Sequence, residues 1–219
     1  MPSRMKFLMG LVVFSIVVRL LPALLTRYDV KLDPTVLFYP WNFMPLMAVS
    51  LYTGAYVSDR RWSIGLPLFA LVISDLGIWA LTGKSFWTVP TDGWSPSAGF
   101  MMATFCCLVS VASYVITVML GTGAGQRPWP LRGLDAFGRG MLAETIFFVL
   151  TNFAYFLIQN DLPHTPAGLM ACYVAAIPFA WKSFASTAFY SVLLFSPLAV
   201  RNSGESACPE PSLQSAMVK

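Results

Sequence analysis

The sequence predicts an all-α membrane protein, a six-transmembrane-helix bundle, on three observations. Of 219 residues, 57% are hydrophobic and 11% charged, less than half the ~25% charged residues of soluble domains. The apolar residues fall in blocks close to the ~20 residues that cross about 30 Å of hydrocarbon. Three charges, Arg19, Asp75 and Glu144, lie inside those blocks. A charge at bilayer depth costs about 2.5–3.5 kcal/mol on insertion scales, so such groups face a bundle interior or a wet cavity. The pattern therefore predicts an internal polar site as well as a fold class.

The first crossing runs from Lys6 to Leu25, an apolar run broken only by Arg19. With Arg4 and Lys6 ahead of it, this run imitates a secretory signal. Arg19 and the lack of a clean small-x-small site argue for a retained helix. The second crossing runs from Trp41 to Val57, the third from Ile64 to Thr82 and the fourth from Ala98 to Leu120. The fifth runs from Arg139 to Ile158 and the sixth from Lys182 to Val200. Between the last two, Pro163 to Trp181 is apolar but short, punctuated by Pro163, Pro166 and Pro178. It reads either as a re-entrant or short helix before the last span, or as a seventh span. Irregular backbone at that depth is tolerated only against protein or a water-lined cavity, which puts this stretch near a site. Residues 1–200 thus form one transmembrane domain. Residues 201–219, with Ser, Pro and Glu, read as a disordered cytoplasmic tail.

Lys and Arg set the orientation. With six spans, one side of the membrane holds Arg4, Lys6, Arg60, Arg61, Arg127, Arg132, Arg139, Arg201 and Lys219. The other holds Arg27, Lys31, Lys84 and Lys182. That bias places both termini in the cytoplasm. Trp41, Trp62, Trp87, Trp94 and Trp129 fall near the expected interfaces, as aromatic belts do. The loop from Lys84 to Ser97 holds Phe86, Trp87 and Trp94, too apolar for an ordinary outer loop and suited to capping a cavity.

Several chemistries are excluded by what is missing. One His in the chain removes most hydrolase schemes. Cys106, Cys107, Cys172 and Cys208 show no metal-ligand spacing and read as small hydrophobes. No basic cluster is interleaved with exposed aromatics, so nucleic acid is not a partner. Gly121-Thr-Gly-Ala-Gly125 resembles a phosphate loop only superficially, with no Lys-Ser/Thr after it, and reads as a flexible cytoplasmic linker. No enzymatic activity and no cofactor are expected.

Helical spacing puts the polar residues on narrow faces. Ser15, Arg19 and Pro22 fall together in the first span, and Asp75, Trp79 and Thr82 in the third. Glu144, Thr151, Asn152, Tyr155 and Gln159 form a stripe in the fifth, and Lys182, Ser186 and Tyr190 in the sixth. The simplest structural account is an Arg19–Asp75 ion pair locking two helices, which need not be functional. Glu144, just past the basic Arg139 turn, is expected to snorkel or pair there. His164 reads as an interfacial loop residue. Gly54 and Ala55, or Gly138, Gly140 and Ala143, permit close helix contacts.

Five runs of residues carry a family resemblance. They are Asn42-Phe43-x-Pro45, Gly54-Ala55-Tyr56, Ser74-Asp75, Thr151-Asn152-Phe153 and Gly168-Leu-Met-Ala-Cys-Tyr-Val-Ala-Ala-Ile-Pro-Phe179. Over roughly residues 15 to 196 the chain resembles an uncharacterised bacterial inner-membrane family to which transport is ascribed. That family is similar to the substrate-binding S components of energy-coupling-factor (ECF) transporters. The resemblance implies a six-helix protein with an outward-facing small-molecule site. It also implies a membrane scaffold subunit and cytoplasmic ATPases as partners. The first span departs from S components, carrying Gly10 but no Ala-x-x-x-Ala repeat. Taken together, the candidate ligand-binding residues are Arg19, Asn42, Asp75, Trp79, Asn152 and Tyr155, with Trp87 and Trp94 as a lid. A non-transport scaffold with structural buried charges is the alternative.

Overall fold

The computed structural model describes residues 3–28, 44–82, 96–126, 128, 131–158 and 162–196. All of the regular structure among them is helical. Six α-helices run in order: α1 Ser3–Arg27, α2 Leu46–Tyr56, α3 Arg60–Thr82, α4 Pro96–Gly121, α5 Leu131–Ile158 and α6 Pro166–Leu194. A 3₁₀ turn, Ala124–Gln126, follows α4. Asn42, the Trp87/Trp94 loop, Gln159 and the tail after residue 201 lie outside the described residues.

Successive helices alternate in direction. Arg19 of α1 meets Leu71 to Asp75 of α3 while Leu20 meets Gly77, so these two run parallel. Glu144 of α5 meets Ser183 and Thr187 of α6 while Gly140 meets Ser191, so these two run antiparallel. The helix outsides are apolar. Along α3, Phe69, Val72, Ile73, Leu76 and Trp79 are all exposed, a contiguous surface that soluble monomers rarely present.

Helix α2 differs from the rest. It has 11 residues, about 17 Å at 1.5 Å per residue, too short for the ~30 Å hydrocarbon core. Every residue from Leu46 to Thr53 is buried, and α2 touches all five other α-helices. Its apolar residues point all round, the pattern of a core helix. Its Ser and Thr hydroxyls are satisfied: Ser50 donates to the Leu46 carbonyl, and Thr53 to the Ser50 and Ser63 carbonyls. The central contact is with α4, where glycines let the backbones close. A Cβ on Gly54 would lie 2.0 Å from the Val118 carbonyl oxygen, and one on Gly121 2.1 Å from that of Leu51.

Four helices are long and apolar enough to cross a membrane, and a fifth qualifies if the bent α6 counts as one span. The expected count of six is therefore not reproduced among the described residues. Two elements account for the difference. The second expected crossing contains the short buried α2. The stretch from Pro163 to Trp181 and the last expected span are not separate, because α6 runs through both and bends by 53° beside Pro178. Proline lacks an N–H and crowds the preceding turn, which kinks a helix without ending it.

The glycine-rich segment after α4 is not a flexible linker. Gly123 takes φ 81°, Ala124 is fully buried, and Gly125 abuts the Tyr56 ring. Arg139 fastens it from α5, donating to the Leu120 and Thr122 carbonyls at 2.6 and 3.1 Å. These carbonyls end α4 and lack intrahelical partners, so a cation there completes the helix terminus.

Candidate functional site

Arg19 lies one turn before Pro22 on α1 and reaches across to α3. Its Nη1 donates to the Leu71 carbonyl at 3.2 Å and to Ser74 Oγ at 3.0 Å. Its Nη2 donates to Asp75 Oδ1 at 3.2 Å, closing an ion pair whose side chains are mostly buried. The guanidinium is thus neutralised and held at three points. The second carboxylate oxygen of Asp75 takes no hydrogen bond among the described residues.

The pair forms one wall of a cavity of about 340 Å³, at the small end of the ~300–1,000 Å³ range of ligand pockets. Leu71, Val72 and Leu76 of α3 continue that wall. Cys107, Ser110, Val111 and Tyr114 of α4 face it, Phe147 of α5 closes one side, and Met44, just ahead of α2, lies at its edge. Cys107, Ser110 and Tyr114 are spaced three and four apart and so share one face of α4. The Tyr114 and Phe147 rings lie 6.5 Å apart, tilted by 49°. The Ser110 and Tyr114 hydroxyls make no hydrogen bond among the described residues. A mostly apolar chamber with a carboxylate oxygen and two hydroxyls available is the composition of a small-molecule site.

Of the sequence-predicted residues, the structure brings together Arg19 and Asp75. Trp79 lies one turn along α3 but is half exposed and does not line the cavity. Asn152 turns back on its own helix, donating to the Phe148 carbonyl at 2.8 Å. Tyr155 is exposed by 43%. Neither lines the cavity, whose α5 wall is Phe147. Asn42 lies outside the described residues.

Glu144 makes a second polar centre, and not the one expected. It is 2% exposed, accepting from Ser183 Oγ at 2.9 Å and from Thr187 Oγ1 on α6. It neither snorkels nor pairs with Arg139, whose Nε instead donates to Asp135 at 3.0 Å. Gly140, one turn back on α5, makes room for this approach: a Cβ there would lie 2.8 Å from Ser191 Oγ and 3.1 Å from Thr187 Cγ2. The working face of α6 is therefore Ser183, Thr187 and Ser191. Ser186, on the stripe read from the sequence, donates to the Met44 carbonyl at 2.8 Å. His164 is an exposed residue of the turn before α6, against the Phe156 ring.

The fold and the site define a class: an all-helical protein with several helices fit for a membrane, apolar outer faces, and charges gathered inside. Within that class, the chain belongs to a family of unknown function (DUF6580), whose model matches residues 1–207. No curated protein and no solved structure matches it. Nothing in these comparisons links the chain to ECF S components.

Proposed function

We propose that this chain is a multi-pass protein of the bacterial inner membrane, with both termini cytoplasmic, that captures a small solute for transport. The observation that carries this reading is the cavity between α1, α3, α4 and α5, with its ion-paired wall and free hydroxyls. A lipid-facing chain gains nothing from a carboxylate, a guanidinium and two hydroxyls at one depth unless something polar meets them. Because Asp75 already neutralises Arg19, the site favours a compact, uncharged, amphipathic solute over an anion. Its polar end would meet Asp75, Ser110 and Tyr114, and its apolar body Leu76, Val111 and Phe147. This reading assigns no enzymatic step and no cofactor. It takes a membrane scaffold subunit with cytoplasmic ATPases as partner, on the resemblance to S components.

The test is a thermal-shift screen of small uncharged solutes against the purified protein in lipid nanodiscs. Any stabilising solute should lose its effect in Asp75→Asn and in Tyr114→Phe, each still folded. In the first variant Arg19 keeps its Leu71 and Ser74 contacts and the amide oxygen can still accept from it, so some stability is lost and binding is scored on the folded fraction. A folded Asp75→Asn protein that binds the solute undiminished would refute the role. Purification from native membranes tests the partner: an ATPase-bearing complex supports coupling, and the chain alone counts against it.

A second reading rests on the same ion pair. Three contacts from one side chain lock α1 onto α3, as a scaffold protein would require. In that case Asp75→Asn lowers stability and no solute shifts the melting of the wild-type protein.

A further inference from the structure

We propose that Glu144 is a proton-binding site that sets the shape of the solute cavity, an inference resting on the solute-capture reading. The carboxylate is 2% exposed, and among the described residues it forms no ion pair. Its partners are two hydroxyls, Ser183 and Thr187. An ionised carboxylate only accepts hydrogen bonds, whereas a protonated one must also donate. Binding one proton removes one negative charge and turns one carboxyl oxygen into a donor. One of the two hydroxyls must then rotate to accept. The proton therefore cannot come or go without reversing a hydrogen bond across the α5–α6 contact.

That contact is tied to the cavity by two routes. On α6, Ser186 lies between Ser183 and Thr187 and holds the Met44 carbonyl at 2.8 Å, and Met44 lines the cavity. On α5, Phe147 is three residues past Glu144, on the same face, and forms the cavity wall beside Tyr114. The hydroxyl row also continues: Ser191, one turn past Thr187, is fully buried and its Oγ has no hydrogen-bond partner among the described residues. A buried orphan hydroxyl calls for an explanation, and a hydroxyl row whose hydrogen bonds change when Glu144 gains or loses its proton supplies one.

Among the described residues, the helices packed around Glu144 carry these other ionisable groups. Helix α4 offers Tyr114 and Cys107, and α2 Tyr52 and Tyr56. Helix α6 carries Cys172, Tyr173, Tyr190 and the buried Lys182, which has an interaction of its own. On α5 itself are Arg132, Asp135, Arg139 and Tyr155, with Asp135 and Arg139 paired to each other. Arg19 of α1 and Asp75 of α3 lie across Tyr114 and are occupied with each other.

Two measurements on the full chain in liposomes test the proposal. Among the bands of the chain's 10 Asp and Glu carboxyls, infrared difference spectra across a pH titration should show one, at the frequency of a buried carboxyl, that vanishes in Glu144→Gln and persists in Asp75→Asn. The second uses Cys107, which lines the cavity, as a native reporter. Its rate of alkylation by a small maleimide is read by mass spectrometry in wild type, Glu144→Gln and Glu144→Asp. The wild-type to Glu144→Gln ratio should change with pH by about fivefold or more, the low end of coupling between two sites. Glu144→Asp, which keeps a carboxylate, should retain the pH dependence. A buried-carboxyl band that is unchanged in Glu144→Gln, or the absence of any such band in the wild type, overturns the proton site. A ratio constant across the titration, with Cys107 reactive, overturns the coupling alone. A Cys107 unreactive at every pH refutes the accessible cavity itself, while the infrared band still decides Glu144.

Discussion

Replacing Gly54 or Gly121 by alanine attacks the contact that seats α2 in the bundle. A Cβ on Gly54 would lie 2.0 Å from the Val118 carbonyl oxygen, where ordinary contact begins at 3.4 Å. The two helices must therefore separate by about 1.4 Å at their crossing. Neither obstacle is a side chain that can swing away, since Val118 and Leu51 present backbone carbonyls. Overpacking a core costs about 1–3 kcal/mol, and a backbone obstacle argues for the upper end. Alanine's helix preference over glycine returns at most about 1 kcal/mol, leaving a net loss near 2 kcal/mol. One displacement relieves both clashes, so Gly54→Ala/Gly121→Ala should cost about as much as either single change rather than their sum. The assay is reversible unfolding in mixed micelles, with Gly10→Ala and Gly65→Ala as controls because nothing lies within 4 Å of a Cβ at either position. The controls should be neutral or slightly more stable. If Gly54→Ala unfolds at the same denaturant concentration as Gly65→Ala, the close α2–α4 crossing is refuted.

Breaking the ion pair from one side, with Asp75→Leu, should cost about 3–5 kcal/mol, as an uncompensated buried charge does. The matched Arg19→Met/Asp75→Leu protein should recover most of that in the same unfolding assay. Arg139→Ala removes two hydrogen bonds at the end of α4 and its pairing with Asp135. At about 1.5–3 kcal/mol for a hydrogen bond to a charged group, hydrogen exchange should accelerate at residues 117–126 first, and Arg139→Lys should restore only part of the protection. Thr165 caps α6 by accepting from the Gly168 N–H at 3.2 Å. Thr165→Ala should cost about 1 kcal/mol, seen as earlier exchange in the first turn of α6, and Thr165→Ser should be neutral.

The long helices were legible because an apolar run near span length has few alternatives. Helices α1, α3 and α4 extend past their expected ends by one to four residues, such as Arg27 and Arg60, where hydropathy has no contrast. Helix α5 begins two turns early, at Leu131 rather than Arg139, because Arg132, Asp135 and Arg139 read as an end of the apolar run. Helix α2 was not legible as a short core helix. Its apolar run looks the same whether lipid or protein surrounds it, and only packing decides. Pro178 read as a boundary because proline usually is one, and here the helix bends and continues. The site was legible where charge stands out from an apolar background, which located Arg19 and Asp75. Tyr114 and Phe147 carried no such contrast. Asn152 and Tyr155 looked equivalent to cavity residues, but at ~100° per residue Asn152 turns about 140° from Phe147. The same geometry separates Glu144 from Arg139, five residues apart, and lets Arg139 take Asp135 at four.

The cavity and the shortness of α2 have one origin. Five helices of 23 to 29 residues, about 35–44 Å along their contours, contact a helix of 11 residues. Pro45 fixes where that helix begins: it has no N–H to donate and stands at the N-cap, where its missing donor costs nothing. Below this level the core is filled by α2 side chains such as Leu51 and Tyr52, the latter packed edge-on against Phe7 and Phe195. At this level, beside Met44, α1, α3, α4 and α5 face one another across space that α2 does not occupy. Arg19 and Asp75 lie at that opening. Charges placed beside Leu51 or Tyr52 would meet packed apolar side chains and be costly without a partner, whereas beside Met44 they can pair and still leave a carboxylate oxygen facing the cavity. The depth of the ion pair, the length of α2 and the position of Pro45 are therefore linked, and lengthening α2 toward its N-terminus would close the site that the charges line.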